Sequence, residues 1–503
     1  MIKKYLFDQI LRLVRDRRAN VALITGLTIV PLIFSIGFGI DYSRAMRLRT
    51  KLNAAADAAA LAAVTSPMMQ NNGASAQSAA TAMFNAQVIG LPGLVFNSAT
   101  DLTVTVAASG TLNNGRTVVV TYKAGSTNVF SAILGSPKLT INGSSQSDAT
   151  KAPYINFFLV LDTSPSMLLP STSDGLNKIR AASSTSYLTG GCAFACHNQN
   201  PHTDNIYVRD SSGKDIYLDT SGVAWAVTRV ANSKIYAKNA SGTEIQVGTT
   251  TTGQYADGLW LTRNYGSLYG GSNIELRLDS EQTAAQDLIP FAQTMASNNH
   301  VGYKLQVFGY DYGAPVKLTA SMTNVASLTT ASIPNLVGLQ TNYFQNNCPT
   351  ASVCNNDQST EFATMFTAMN AAIPTPGDGS TAATPQQVMF IVTDGMSDEA
   401  LSGTRNTREL RASHLAQCNT IKARGIRIAI LYTEYLPESL TGDSWSQINV
   451  APYLPNIEPA LRSCASTGSD GSALFYKVTT DESITQALTE LFALTVQSAH
   501  LTK

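Results

Sequence analysis

Between Val21 and Ile40 the chain runs for about 20 residues without a charge, VALITGLTIVPLIFSIGFGI. That length spans a bilayer core as a helix. In lipid every backbone polar group must be satisfied internally, and a helix does this within one segment, tolerating Pro31 and the glycines. The run is long for a signal-peptide core, and no clean small-x-small cleavage site follows it. Basic residues lie on both sides: Lys3, Lys4, Arg12, Arg15, Arg17 and Arg18 before, and Arg44, Arg47, Arg49 and Lys51 after. The positive-inside rule therefore favours a cytoplasmic N-terminus only modestly. The six cysteines argue for the same orientation, because paired thiols belong in an oxidising compartment. The 503 residues suffice for two or three domains, and a net charge of zero gives no electrostatic argument for nucleic acid. Only 14% of residues are charged, while Ser, Thr, Asn, Gly and Ala abound, which suits an exported, turn-rich chain.

The segment RDRRANVALITGLTIVPLIFSIGFGIDYSRAMRLRTKLNAAADAAALAA combines a basic lead, one apolar span, an acid-Tyr pair (Asp41, Tyr42) and an Ala-rich helix. It resembles the N-terminal segment of TadE/TadG-like proteins of the Flp (tight adherence) pilus system. The resemblance implies a single-pass protein of the bacterial inner membrane, with the N-terminus cytoplasmic and the bulk of the chain extracytoplasmic. Prepilin processing wants Gly before the cut and Glu at the fifth position after it. This chain has Ala19 and Asn20 at the natural place and no such Glu, so the expectation is an uncleaved anchor. The expected organisation is a basic segment over 1–20, a transmembrane helix over 21–40, and a helix with a small β region over 41–150. Leu52 to Val64 is Ala-dense and helical by propensity. LTVTVAA, RTVVVTY and KLTING then read as strands separated by Gly and Asn turns, a small α+β, pilin-like region.

Farther on, Phe157 to Met167 reads FFLVLDTSPSM. An apolar run closed abruptly by polar residues fits a strand buried on both faces of a parallel sheet. The turn after it presents three oxygens at alternate positions: Asp162, Ser164 and Ser166. A second run, Gln387 to Gly395 (QVMFIVTDG), stops at Thr393, Asp394 and Gly395. Ligands of open α/β sheets sit outside the carboxyl ends of the strands, where both aspartates lie. Thr360, with Ser359 as its near alternative, opens an apolar-periodic helix containing Phe362, Met365, Phe366 and Met369. Such a set of oxygens suits Mg²⁺, which takes oxygen ligands in octahedral geometry and keeps some waters.

D-x-S-x-S after a hydrophobic strand, a later Thr and a strand ending in T-D-G resemble the von Willebrand factor A domain. The resemblance implies a doubly wound parallel α/β sheet over 151–503. It also implies a metal-ion-dependent adhesion site whose ligands are Asp162, Ser164, Ser166, Thr360 and Asp394. The cofactor is then Mg²⁺ or another divalent cation, gripping an acidic side chain on a protein partner: a pilus or secretion component, or a surface. A helix over Ser280–Ala296 and a strand over Tyr303–Tyr310 continue the pattern. Between the D-x-S-x-S turn and that helix lies an insert, about 170–278, of short β-like runs including VAWAVTRV and GLWLTRNYG, with Trp225 and Trp260. It is expected to form a β-rich cap over or beside the cation. Asn406–Arg424 reads as a helix, Ile426–Tyr432 as a strand, the Pro-rich 450–459 as loop, and Ser483–Val496 as an amphipathic helix.

In CAFACH, Cys192 and Cys196 are separated by three residues where a haem attachment motif has two. A disulfide is the plainer reading, with haem or zinc as alternatives. Similar logic pairs Cys348 with Cys354 and leaves Cys418 and Cys464 to join across the last strand, but six cysteines allow fifteen pairings and the sequence fixes none of them. The chain has no G-x-S-x-G elbow, H-E-x-x-H or Walker loop, and Ser164 stands where an aspartyl phosphatase needs its second Asp. No general base adjoins the metal set, so binding is favoured over turnover and no enzyme is expected. The alternatives are a structural minor pilus subunit without metal-dependent binding and, more remotely, a metal-dependent hydrolase.

Overall fold

The computed structural model describes residues 17–500 except 110–114, 184–205, 219–222, 250–257, 312, 337–359, 402–403, 436, 442–443 and 480. The chain divides into two compact units, Met1–Lys151 and Ala152–Thr502.

The first unit is built on one long helix, α1 (Arg17–Ala62). Within it, Ile24–Ala62 contains a stretch long and apolar enough to cross a membrane, the one such helix among the described residues. The N-terminal half exposes its apolar residues, among them Leu27, Leu32, Ile36 and Phe38. The C-terminal half buries Ala45, Leu48, Leu52, Ala55, Ala56, Ala59 and Ala60, a stripe at helical spacing whose small side chains allow close approach. That stripe faces α2 (Gly73–Val88) and an antiparallel sheet of β1 (Leu102–Ser109), β2 (Gly115–Thr127) and β3 (Lys138–Thr150). The central strand is β2. It pairs with β3 along one edge and with β1 and the short Leu94–Val95 along the other.

Two buried charges tie this unit together. Arg116 donates to the carbonyls of Ala63, Met68 and Asn71, fixing the turn between α1 and α2. Asp41 accepts the backbone N–H groups of Val129, Phe130 and Ser131 at 2.8, 3.0 and 2.8 Å, fixing the β2–β3 connection to α1.

In the second unit β4 (Ile155–Asp162) leads into α3 (Ser173–Ser183). An antiparallel meander of five strands follows: β5 (Ile206–Arg209), β6 (Asp215–Leu218), β7 (Ala224–Ala231), β8 (Lys234–Lys238) and β9 (Glu244–Thr249). Then come α4 (Gly258–Tyr269), α5 (Arg277–Asn299), β10 (Tyr303–Tyr310), α6 (Phe362–Ala372) and β11 (Gln386–Thr393). The chain ends with α7 (Ala412–Ala423), β12 (Arg427–Thr433), α8 (Leu454–Cys464), β13 (Phe475–Val478) and α9 (Ile484–His500).

The main sheet runs β10-β4-β11-β12-β13, and these five strands are all parallel. Successive side chains point to opposite faces and both faces are covered, which explains the unbroken apolar runs Phe157–Leu161 of β4 and Val388–Val392 of β11. Phe157, Leu159 and Leu161, with Val388, Phe390 and Val392, point into a core shared with Leu288 of α5 and Phe492 of α9. Phe158 and Val160, with Met389 and Ile391, point the other way, against Phe366 of α6, Ile421 of α7 and Ile457 of α8. On that second face a disulfide joins Cys418 of α7 to Cys464 of α8, the pair left over in the sequence reading, with both residues fully buried. The other four cysteines, CAFACH among them, and Ser359 lie outside the described residues.

The insert departs after Pro170 and returns at Leu276, and these two residues form an antiparallel bridge that closes its base. Its helices α3 and α4 share a small core of Ile179, Ala182, Leu261 and Ile274. Trp225 is half-buried on β7, and the Trp260 side chain is outside the description.

Three stretches differ from their sequence reading. GLWLTRNYG belongs to α4, not to a strand: Leu261, Tyr265, Leu268 and Tyr269 recur at helical spacing and form its packed face. Residues 404–407 pair with 399–401 as a hairpin, so the helix begins only at Ala412. The Pro-rich 450–459 enters α8, because Pro455 sits in the first turn, where its missing N–H costs nothing.

Candidate metal centre

The strands β4 and β11 are neighbours in register, Leu161 opposite Val392, so Asp162 and Thr393 emerge side by side at their carboxyl ends. The Asp162 carboxylate is fully buried and held on three sides. One oxygen accepts the Thr393 hydroxyl at 2.5 Å and the Tyr310 hydroxyl at 3.3 Å, and the other accepts the Ser164 N–H at 3.0 Å. The Ser164 and Ser166 hydroxyls lie 3.0 Å apart, and Ser166 is among the neighbours that favour the ionised Asp394 carboxyl. Asp394 Oδ1 accepts the Met396 N–H at 3.0 Å, while its buried Oδ2 has no hydrogen-bond partner. Four of the five predicted ligands therefore form one cluster.

The fifth, Thr360, occupies the same rim without bonding to the other four. It is buried directly before α6, and the next N–H, that of Glu361, donates to the Asp311 carbonyl at the end of β10. Its φ of 59° is an outlier for a β-branched residue, the kind of backbone strain that gathers at functional sites. A buried pair holds the start of α6. His414 Nδ1 accepts the Arg411 N–H, so Nε2 donates to Glu399, whose second oxygen accepts the Ala363 N–H.

Two residues at the site escaped the sequence reading. Arg277 and Glu281 stand one turn apart on α5. Arg277 is buried, donates through Nη2 to the Glu434 carbonyl, and holds Nη1 3.8 Å from Asp394 Oδ2. Glu281 is fully buried with neither carboxylate oxygen hydrogen-bonded. A signal existed: Glu281 falls on the apolar stripe of Leu278, Ala284, Ala285 and Leu288, where an unpaired acid is costly.

Burial and the neighbouring Asp394 push the Asp162 carboxyl up to about 7. Burial raises Asp394 too, with the Arg277 guanidinium opposing it, and burial beside Asp162 holds Glu281 well above the usual range. Three buried carboxyls against one guanidinium form a set that favours an added positive charge. The unpartnered oxygens of Asp394 and Glu281 fit a hard divalent cation, as do the serine hydroxyls. No group of three or more His, Cys, Asp or Glu placed to hold a metal by themselves occurs among the described residues.

Gly395 sets the position of Asp394. Its φ is 71°, and an added Cβ would run into Ile457 and Leu461 of α8. The Gly395→Ala variant is expected to lose about 1–3 kcal/mol, read as a lowered urea midpoint with an unchanged slope. An unchanged midpoint would show that α8 yields freely here.

Among solved structures, the chain is similar to the pilus adhesin SpaC from Lactobacillus rhamnosus GG, at 10% identity and a TM-score of 0.30, covering 79% of this chain and 34% of that one. It is also similar to proximal thread matrix protein 1 of the mussel byssus, at 10% identity and a TM-score of 0.24, covering 43% and 44%. The chain thus spans about a third of the adhesin's length. No curated protein matches it in sequence. Residues 19–82 match the sequence model of the Flp pilus-assembly family, so the N-terminal stretch is similar to TadE/G-like proteins.

Proposed function

We propose that this chain is a single-pass, inner-membrane-anchored pilus-assembly or adhesion protein that binds a partner through a divalent cation. The second unit then acts as a von Willebrand factor A-like, doubly wound domain, with no enzymatic role. Asp162, Ser164, Ser166 and Asp394 hold Mg²⁺ directly or through water, Thr360 completes the rim, and an acidic side chain of a protein partner takes the open position. The observation that carries this reading is the buried Asp394 Oδ2, which accepts no hydrogen bond, in a cluster with two serine hydroxyls and a second carboxylate. The TadE/G-like match over 19–82 supports the pilus context and a membrane anchor.

A second reading, a structural pilus subunit without metal-dependent binding, draws on Arg277, which already offers Asp394 a positive neighbour. Replacing the chromosomal copy with Asp162→Ala separates the two. Under the first reading the cells keep the protein and their pili but lose Mg²⁺-dependent attachment, whereas a full deletion loses more. Attachment equal to wild type, still abolished by EDTA, would remove Asp162 from the mechanism.

A further inference from the structure

We propose that the Val129–Leu134 loop of the first unit inserts into the membrane surface beside α1. The unit would then rest on the bilayer rather than stand clear of it. This rests on reading Val21–Ile40 as a membrane span.

The loop is bound to the span itself. Asp41, the first residue after the apolar run, is 2% exposed and caps the N–H groups of Val129, Phe130 and Ser131. A Cβ on Gly37 would come within 2.5 Å of Phe130 Cβ, so the Phe130 side chain lies against α1 inside the apolar run. Gly37 precedes Asp41 by one turn, about 6 Å along the axis. A loop that touches both cannot lie wholly above the level at which the span ends.

The rest of the loop has the composition that such a position requires. Val129, Ile133 and Leu134 are 52%, 73% and 65% exposed, three large apolar residues on one short connection. Its backbone is also prepared for lipid, where an unsatisfied N–H is expensive. Beyond the three groups capped by Asp41, the Ile133 N–H donates to Phe130, Gly135 to Ala132 and Ser136 to Ser131. A neighbouring segment adds to the same end: Gly93, whose carbonyl accepts the Thr127 N–H, faces Arg44, one turn beyond Asp41. A guanidinium there suits phosphate headgroups. Lipid is the occupant favoured over a second protein because the exposed loop is continuous with the exposed apolar residues of α1, including Ile33, Ile36 and Ile40.

The test places tryptophan at Ile133 in the full chain, reconstituted in phosphatidylethanolamine–phosphatidylglycerol vesicles that contain brominated acyl chains. F38W serves as the reference within the span and A74W, at an exposed position in the first turn of α2, as the reference away from it. Spectra of the unaltered protein are subtracted to remove its three tryptophans. The expected result is blue-shifted I133W emission, quenched by brominated lipid to an extent comparable with F38W and shielded from acrylamide, with A74W showing the reverse. L134W should repeat it. Quenching of F38W but not I133W by lipid overturns the proposal and leaves the span intact. Shielding of I133W from both quenchers also overturns it, since another protein surface then covers the loop. Loss of lipid quenching at both positions removes the span reading together with the proposal.

Discussion

Millimolar Mg²⁺ raises the melting temperature of the second unit by several degrees and leaves the Asp162→Ala form unmoved: this is the expected outcome of differential scanning in Mg²⁺ and in EDTA. A cation that binds only the folded state adds RT ln(1 + [L]/Kd), about 2.7 kcal/mol at a hundredfold excess over Kd. The pH dependence is equally specific. Because the Asp162 carboxyl is raised to about 7 in the fold, the native state holds a proton that the unfolded chain releases near pH 4. Stability from this group is therefore full below pH 4 and is lost as the pH climbs through 7, by an amount on the order of a few kcal/mol. Asp394 and Glu281, also raised, act with the same sign. In EDTA the midpoint should fall between pH 4 and 7. In saturating Mg²⁺, which favours the ionised carboxylates, that fall should disappear. A flat profile in EDTA, or equal Mg²⁺ responses in wild type and Asp162→Ala, would contradict the site. The Asp162→Asn form guards against a trivial result, since it keeps the shape and one acceptor oxygen, enough for the Ser164 N–H, while discarding the charge.

Loss of the Cys418–Cys464 disulfide carries a penalty of similar size. The bridge closes a loop with a sequence separation of 46, which on chain-entropy grounds is worth about 4 kcal/mol. Both cysteines are fully buried, so the double Ala variant, rather than Ser, isolates the cross-link from the burial of new hydroxyls. We expect its melting midpoint, and that of the reduced wild type, to fall by about 5–10 °C. A fall of less than about 1 °C in both would mean that packing alone holds α7 to α8. The same bridge steadies the rim at Asp394, because α8 presses Ile457 and Leu461 against the neighbouring Gly395. Mg²⁺ titration of the reduced protein should therefore show weaker binding than the oxidised form.

The central strands were legible because burial on both faces leaves an unmistakable apolar run, and their polar exits pointed to Asp162 and Asp394. Ser164 and Ser166 followed from spacing, and their hydroxyls do meet. Arg277 and Glu281 were missed for a different reason. They come from a helix that follows the D-x-S-x-S turn by over a hundred residues, and nothing local ties a charge on α5 to the exit of β4. The misread α4 shows a related limit of composition: Trp260, Thr262 and Tyr265 are strand-favouring residues, but the packing of Leu261, Tyr265 and Leu268 against α3 decides the conformation. Proline likewise reads as a loop former until its position within the helix is known: in α8 Pro455 lies in the opening turn, while Pro459 is carried inside the helix.

The bridge between Pro170 and Leu276 bears on how such a chain can change over generations. A segment whose ends are already joined can lengthen, shorten or be exchanged for another with little penalty in closure entropy, since that penalty grows only slowly with loop length. The parallel sheet need not register the exchange. Diversification can then proceed between Ser166 and Arg277, at the edge of the buried carboxyl cluster, while the scaffold that positions the carboxylates stays constant. Variation in that interval among related chains would track what each one touches.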